Sequence, residues 1–234
     1  SNTGGISLIS LDLSAKPLGK VILFYIFMTF FAAIFVFLFL PRVTTVVAKN
    51  NSSDWREKTN LLRKKIIWLQ ATIVAASYAC YKGLDHFSLY LHEVHHYNEH
   101  EAASIVAKIA YLRVLGAIIG GLLSNKFKPS IVLNYGFILI SLIFFFIGFK
   151  TTNDPKIALI IIGLCSSALL VFGLRGVYFT LLNETKMPMA HTGFLVGLIS
   201  VVGFTPDIFF APLAGRILDS FDGSIGHSVY FYFL

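Results

Sequence analysis

The sequence predicts an all-α, polytopic membrane helix bundle, and three observations carry that expectation. Of 234 residues 56% are hydrophobic and only 13% charged, with a mean hydropathy of +0.75, a balance ill suited to a surface facing water on all sides. Apolar stretches recur at 21–40, 66–91, 104–124, 131–149, 157–182 and 192–215, each close to the ~20 residues a helix needs to cross a ~30 Å hydrocarbon core. Within them the apolar residues run continuously rather than alternating, so the backbone must satisfy itself as helices and not as a barrel. The net charge of +7 is concentrated rather than spread. About a third of Lys and Arg fall in 42–65 without a basic helix or basic-aromatic groove, which excludes nucleic acid as the expected partner and suits a cytoplasmic membrane loop.

The elements follow in order. Residues 1–20 contain Gly and Ser, and VILFYIFMTFFAAIFVFLFL (21–40) is the clearest span, ended by Pro41. It is too long for a signal-peptide core and has no small-residue cleavage site after it. The polar segment 41–65 holds seven basic residues against Asp54 and Glu57 and is the expected boundary between two bundles. The organising stretch is Ile66 to Ser130: an apolar run to Tyr81, the pair Lys82 and Asp85, a loop HEVHHYNEHE, and a second apolar run ending in GGLLSNKFKPS. It reads as a membrane hairpin carrying a few costly charges. The fourth stretch has no charge, the fifth holds Arg175, and the sixth holds Asp207 with Pro206 and Pro212. A seventh span has begun at SVYFYFL, and without an initiator Met both ends are expected to be truncated.

Lys and Arg number seven, two and one in the loops 41–65, 125–130 and 183–191, against about five on the other side. That asymmetry places the first set in the cytoplasm and implies a multi-pass protein of an inner or plasma membrane. Gly116/Gly120 and Gly193/Gly197 stand at the spacing that lets helices approach closely. Cys80 and Cys165 lie inside apolar runs as small hydrophobes, and no disulfide is expected.

The residues Gly121-Leu-Leu-Ser-Asn125-Lys126-Phe-Lys128 resemble the G-x-L-a-D-R-x-G-R loop of the major facilitator superfamily, with Asn125 in place of Asp, Lys126 in place of Arg and Lys128 in place of the second Gly. The resemblance implies a register in which 1–40 ends the N-terminal bundle, 41–65 is the inter-bundle loop and 66–234 is most of a second six-helix half. GLISVVGFTPDIFFAPLAGRILD and RGVYF (175–179) look like the eleventh and the end of the tenth facilitator helices. It further implies a secondary transporter without a cofactor, alternating access for a small-molecule substrate, and Gly121, Asn125 and Lys126 as a conformational latch. The missing N-terminal bundle of the same chain and the lipid bilayer are then the partners.

An ionisable side chain in a span costs about 2.5–3.5 kcal/mol at mid-membrane by insertion scales, so each is a candidate site. Lys82 and Asp85 share a helical face with Tyr78 and are close enough to pair. Arg113 lies about nine residues, roughly 14 Å, into its span. Arg175, with Tyr178 beside it, lies nearer the cytoplasm, and Asp207 follows Pro206. Each has a bland alternative in structural pairing or snorkelling, which is the expected role of Lys108. Substrate contact is expected of Lys82, Asp85, Arg113, Arg175 and Tyr178, and ion coupling of Asp85 or Asp207. The spans then carry three cations against two carboxylates, which favours an anionic solute. The second span also looks like the seventh helix of the organophosphate and organic-anion branch, although Cys80 occupies the position of that branch's Arg and Lys82 lies two residues on.

One motif points elsewhere. His92-Glu93-Val94-His95-His96 satisfies H-E-x-x-H, which on a helix would set His92 and His96 on one face for zinc, with Glu93 as base and His100 a turn further. The alternative it raises is an intramembrane metalloprotease, with TPD at 205–207 as a distant Asp motif. The polar surroundings, Tyr97, Asn98 and Glu99, and the lack of Asn and Gly around Asp207 favour a solvated external loop, no metal and no enzyme. No Walker loop supports ATP-driven pumping.

The topology makes a prediction. Asn51-Ser-Ser and Asn183-Glu-Thr are glycosylation acceptors in loops placed in the cytoplasm. Expressed in a glycosylating host, both are expected to remain unmodified by mass spectrometry, and sugar on either would invert the orientation.

Overall fold

The computed structural model describes residues 17–40, 58–153, 156–185 and 191–234. The chain divides into two compact units, Ser1–Asn50 and Asn51–Leu234. In the first, α1 (Pro17–Phe39) is apolar around its whole circumference, and none of its candidate span is buried within the chain. A helix with no polar face suits lipid or other helices as its solvent.

The second unit is a bundle of helices. After a helical segment at 58–62, α2 (Lys65–Gly83) continues through a 3₁₀ turn (Leu84–His86) into α3 (Phe87–Glu93). A loop leads to α4 (Glu99–Ala110), which breaks at Tyr111 and resumes as α5 (Leu112–Lys126). Then come α6 (Pro129–Thr152), α7 (Ile157–Val177), a 3₁₀ turn (Tyr178–Thr180) and α8 (Leu181–Glu184). The unit closes with α9 (Thr192–Gly203), α10 (Pro206–Ser220) and α11 (Gly223–Phe233).

Five helical runs among the described residues are long and apolar enough to cross a membrane: Gly19–Phe39, Glu99–Lys126, Pro129–Thr152, Ile157–Glu184 and Thr192–Ser220. The second expected span is helical from Lys65 to Glu93 but is not among the five. Gln70, Ser77, Lys82, Asp85 and His86 dilute its apolar character, and these groups bear on the site described below. The third span starts earlier than Ser104 because Asn98 builds a capping box at the head of α4. Its Oδ1 accepts from the Glu101 backbone N–H at 2.8 Å, and the Glu101 carboxylate accepts from the Asn98 N–H at 3.3 Å.

The core sits where α2, α7 and α9 meet, with Val74, Leu164, Ala168, Val171, Leu195 and Ile199 all fully buried. Helices α5 and α7 approach backbone to backbone. A Cβ on Gly116 would stand 2.5 Å from the Leu169 carbonyl oxygen, and one on Gly120 would stand 2.6 Å from that of Gly173. Lipid gives apolar helices no hydrophobic reason to associate, so close backbone packing through small residues is what joins them. Gly193 and Gly197 behave differently: among the described residues a Cβ on either meets nothing within 4 Å, so their spacing marks no helix contact there, contrary to expectation.

Neighbouring glycines supply the test. Gly120→Ala forces its Cβ against backbone that cannot yield, and is expected to destabilise the bundle by about 1–3 kcal/mol. Gly121→Ala meets open space and is expected to be neutral or slightly stabilising, since Ala favours a helix over Gly by about 1 kcal/mol. Thermal unfolding of the full-length protein in detergent compares them, and equal effects would remove the packing role of Gly120.

Candidate functional site

Four strands of helix bring ionisable residues to one region, and each departs from α geometry within about three residues of its charge. Asp85 lies inside the 3₁₀ turn after α2, and Arg113 follows the break at Tyr111 by two residues. Arg175 precedes the turn at Tyr178, and Asp207 follows the Phe204–Thr205 break, with Pro206 opening α10. Irregular backbone at membrane depth survives only where protein or water satisfies the freed groups. Here the breaks mark the polar heart of the bundle.

The Lys82 ammonium is 2.7 Å from Asp85 Oδ2 and 3.7 Å from Asp207 Oδ1, so it joins α2 to α10. Tyr78, one turn before Lys82, donates its hydroxyl to Asp207 Oδ2 at 2.7 Å. Its ring packs edge-on to Phe204, fixing the helix break beside the carboxylate. The paired carboxylates stay half exposed, at 51% for Asp85 and 52% for Asp207. Half-exposed charges within a bundle of this hydropathy face water or another protein half, not hydrocarbon.

The two arginines use aromatic rings instead. The Arg175 guanidinium stands 3.9 Å from the centre of the Tyr81 ring and 5.4 Å from that of Tyr78. That of Arg113 stands 5.2 Å from the Phe172 ring. Neither has a carboxylate within 4 Å among the described residues. Cation–π contact holds a guanidinium in place while leaving its N–H donors free at the edge. Both arginines line a cavity of about 250 Å³ together with Tyr81, Ala117, Phe172 and Gly176. An adjoining cavity of about 280 Å³ adds Asp85, with Tyr81, Arg113 and Phe172 shared between the two. A separate crevice of about 380 Å³ between α5, α6 and α7 is walled by apolar side chains and glycine, so it suits lipid tails rather than a polar solute.

Of the residues singled out from the sequence, Lys82, Asp85 and Asp207 thus form one ionic cluster, and Arg113 and Arg175 share a cavity beside it. Tyr178 stands apart. It is buried, stacks edge-on to Phe179 and offers its backbone carbonyl to Gln70 Nε2 at 3.4 Å. Tyr81 and Phe172 escaped the sequence reading. Their one signal was position, since Tyr81 precedes Lys82 and Phe172 precedes Arg175 by three on the same helix.

At the other end of these helices, α5 ends at Lys126, whose ammonium lies 5.6 Å from the Phe127 ring, and α6 restarts at Pro129. The Ser130 backbone N–H donates to the Glu184 carboxylate at 3.1 Å, tying the head of α6 to α8. A carboxylate over a helix N-terminus is electrostatically favoured. Gly121 makes no close approach within this unit.

The H-E-x-x-H stretch does not form the helical His pair that a zinc protease motif requires. Helix α3 ends at Glu93, and His96 adopts a left-handed backbone with φ of 56°, so His92 and His96 do not share a helical face. His92 Nδ1–H donates to the Tyr97 carbonyl at 2.8 Å, and Glu93 faces His227 of α11. Among the described residues no three His, Cys, Asp or Glu side chains gather as a metal would need. The metalloprotease alternative is set aside on this geometry.

Comparison with known proteins agrees with the fold. The chain is 29% identical over 195 residues to the inner membrane protein YihN of Escherichia coli strain K12, an alignment covering 80% of this chain and 45% of that one. The chain therefore spans less than half the length of this curated relative. No solved structure matches significantly. The organophosphate-branch resemblance rests on α2 alone, whereas the model of the Major Facilitator Superfamily matches residues 18–211, most of the described chain. Apolar helices of spanning length, broken beside inward charges and closely packed through glycine, are thus those of a multi-pass membrane protein, and the chain belongs to the major facilitator superfamily.

Proposed function

We propose that this chain forms much of one half of a secondary transporter that moves a small anionic metabolite by alternating access. Family membership supports membrane transport in general, and the name of the relative supports the inner membrane as its location. The observation that carries the anionic cargo is the division of labour among the charges. Lys82 is held by Asp85 and Asp207, while Arg113 and Arg175 rest on aromatic rings with no carboxylate partner among the described residues and face a common cavity. Three cations against two carboxylates leave a net charge of +1, and an uncompensated guanidinium in low dielectric is stabilised when an anion arrives.

In this mechanism the anion bridges the Arg113 and Arg175 guanidinium groups, with Tyr81 and Phe172 as walls. Proton coupling runs through Asp207 or Asp85: protonating either carboxylate weakens its hold on Lys82 and turns a third cation toward the cargo. The half-exposed charges face a cavity shared with the preceding bundle of the full-length protein, and rocking of the two halves exposes that cavity to alternate sides. The 121–130 segment, with Gly121, Asn125 and Lys126 on the last turns of α5 and with Glu184 fastening Ser130, latches one of the two states.

Uptake by the full-length protein across a panel of anionic, neutral and cationic metabolites tests the proposal. Preference for an anion is expected, with Arg113→Gln lowering uptake at least about tenfold, the equivalent of about 1.4 kcal/mol. Lys82→Gln is expected to impair transport and flatten its dependence on the proton gradient. A neutral or cationic cargo, or unchanged uptake in both variants, contradicts the anion reading.

A further inference from the structure

The end of the bundle away from the turn between α5 and α6 holds a second ionisable cluster that the transport reading does not use. His227, on the second turn of α11, is fully buried, and its Nε2 lies 2.8 Å from Glu93 Oε2 at the end of α3, a side chain 43% exposed. A carboxylate oxygen only accepts, so Nε2 carries the proton of the neutral imidazole. Nδ1 is then a lone pair, and it has no hydrogen-bond partner among the described residues. Buried polar atoms are nearly always satisfied, and an orphan of this kind calls for an explanation.

We propose that the Glu93–His227 pair is a proton-binding site of this transporter, holding one proton in its resting form and taking up a second. With one proton the pair has a net charge of −1, a carboxylate beside a neutral imidazole. The second proton, on Nδ1, makes it an imidazolium–carboxylate pair of zero net charge, with no other group oxidised, reduced or cleaved. A neutral pair is the form better tolerated away from water. Uptake at this position therefore removes the charge that keeps this end of α3 and α11 tied to solvent.

The surroundings supply little competition. From α3, Tyr90 packs its ring 5.3 Å from that of His227, and its hydroxyl bonds Thr151 of α6 at 2.9 Å. His95, in the following loop, reaches the same hydroxyl at 3.3 Å, and burial beside His96 keeps its imidazole below the ordinary value and hence neutral near pH 7. α6 otherwise presents the Gly148 carbonyl, which accepts from Ser228. α10 meets α11 through Phe210, Leu218 and the Phe221 carbonyl. Within α11, Tyr230 lies one turn beyond His227. Its hydroxyl donates to the Gly83 carbonyl at 3.0 Å and accepts from His86 Nδ1–H at 3.1 Å. His86 follows Asp85 directly, so these hydrogen bonds link α11 to the neighbourhood of the ionic cluster around Lys82. Glu93 remains the one carboxylate in contact with His227 among the described residues.

This inference does not depend on the cargo being an anion, and its test needs no cargo. Nitrogen-15 NMR of histidine-labelled full-length protein in lipid nanodiscs, from pH 5 to 8.5, is expected to show a ring resonance that titrates and is missing in His227→Gln. In Glu93→Gln, which removes the balancing charge, that titration is expected about one pH unit or more lower, whereas in His92→Gln it is unmoved. Should His227→Gln fail to fold, His227→Asn and the Glu93-sensitive resonance identify the site. A His227 resonance constant across the range, or one whose midpoint ignores Glu93→Gln, overturns the proposal.

Discussion

Everything polar in the second unit is arranged around one constraint: a charge placed inside an apolar bundle must find a partner, water or an aromatic face. Lys82 meets it by holding Asp85 at 2.7 Å and Asp207 at 3.7 Å. This contact spans two helices far apart in sequence, and it fixes what surrounds it. Tyr78 is oriented by Asp207, Phe204 packs on Tyr78, and the break before Pro206 is held where the carboxylate needs it. Because the ion cluster uses up both acids, Arg113 and Arg175 fall back on Phe172 and on Tyr81 and Tyr78, which hold the cations without neutralising them.

The glycine packing behind the site serves the same end. Gly116 and Gly120 let α5 press against Leu169 and Gly173 of α7, and Arg113 and Arg175 belong to those same two helices. A close and rigid crossing is what allows two guanidinium groups to share one cavity of about 250 Å³. Stiff packing and interrupted helix geometry therefore stand side by side. The glycine contact fixes the separation of α5 and α7, and the helices are interrupted at Tyr111 and Phe204.

Much of this was legible in the residues alone. Hydropathy and charge placement gave the helical spans, the i, i+3 spacing gave the Lys82–Asp85 pair, and GGLLSNKFKPS together with the register gave the superfamily that the family match shows. Long-range pairing was not legible, because no local pattern says which helix faces which. Tyr78 to Asp207 spans 129 residues and His227 to Glu93 spans 134. The H-E-x-x-H string, which its polar surroundings already marked as an external loop, needs a continuous helix to act as a zinc motif, and α3 stops at its second residue. Gly193 and Gly197 carry a packing spacing, yet a Cβ on either meets nothing within 4 Å among the described residues, so spacing without a facing partner is not evidence of contact.

The most direct test of the account is whether Lys82 and Asp207 act as one unit across α2 and α10. A double-mutant cycle of Lys82→Gln and Asp207→Asn, read by thermal unfolding of the full-length protein in detergent, isolates that term. The account predicts non-additivity, with the double variant less destabilised than the sum of the singles by about 0.5–1 kcal/mol, a modest figure because both side chains are partly exposed. Strict additivity would mean that the two helices are not joined through these charges, and would contradict the account at its centre.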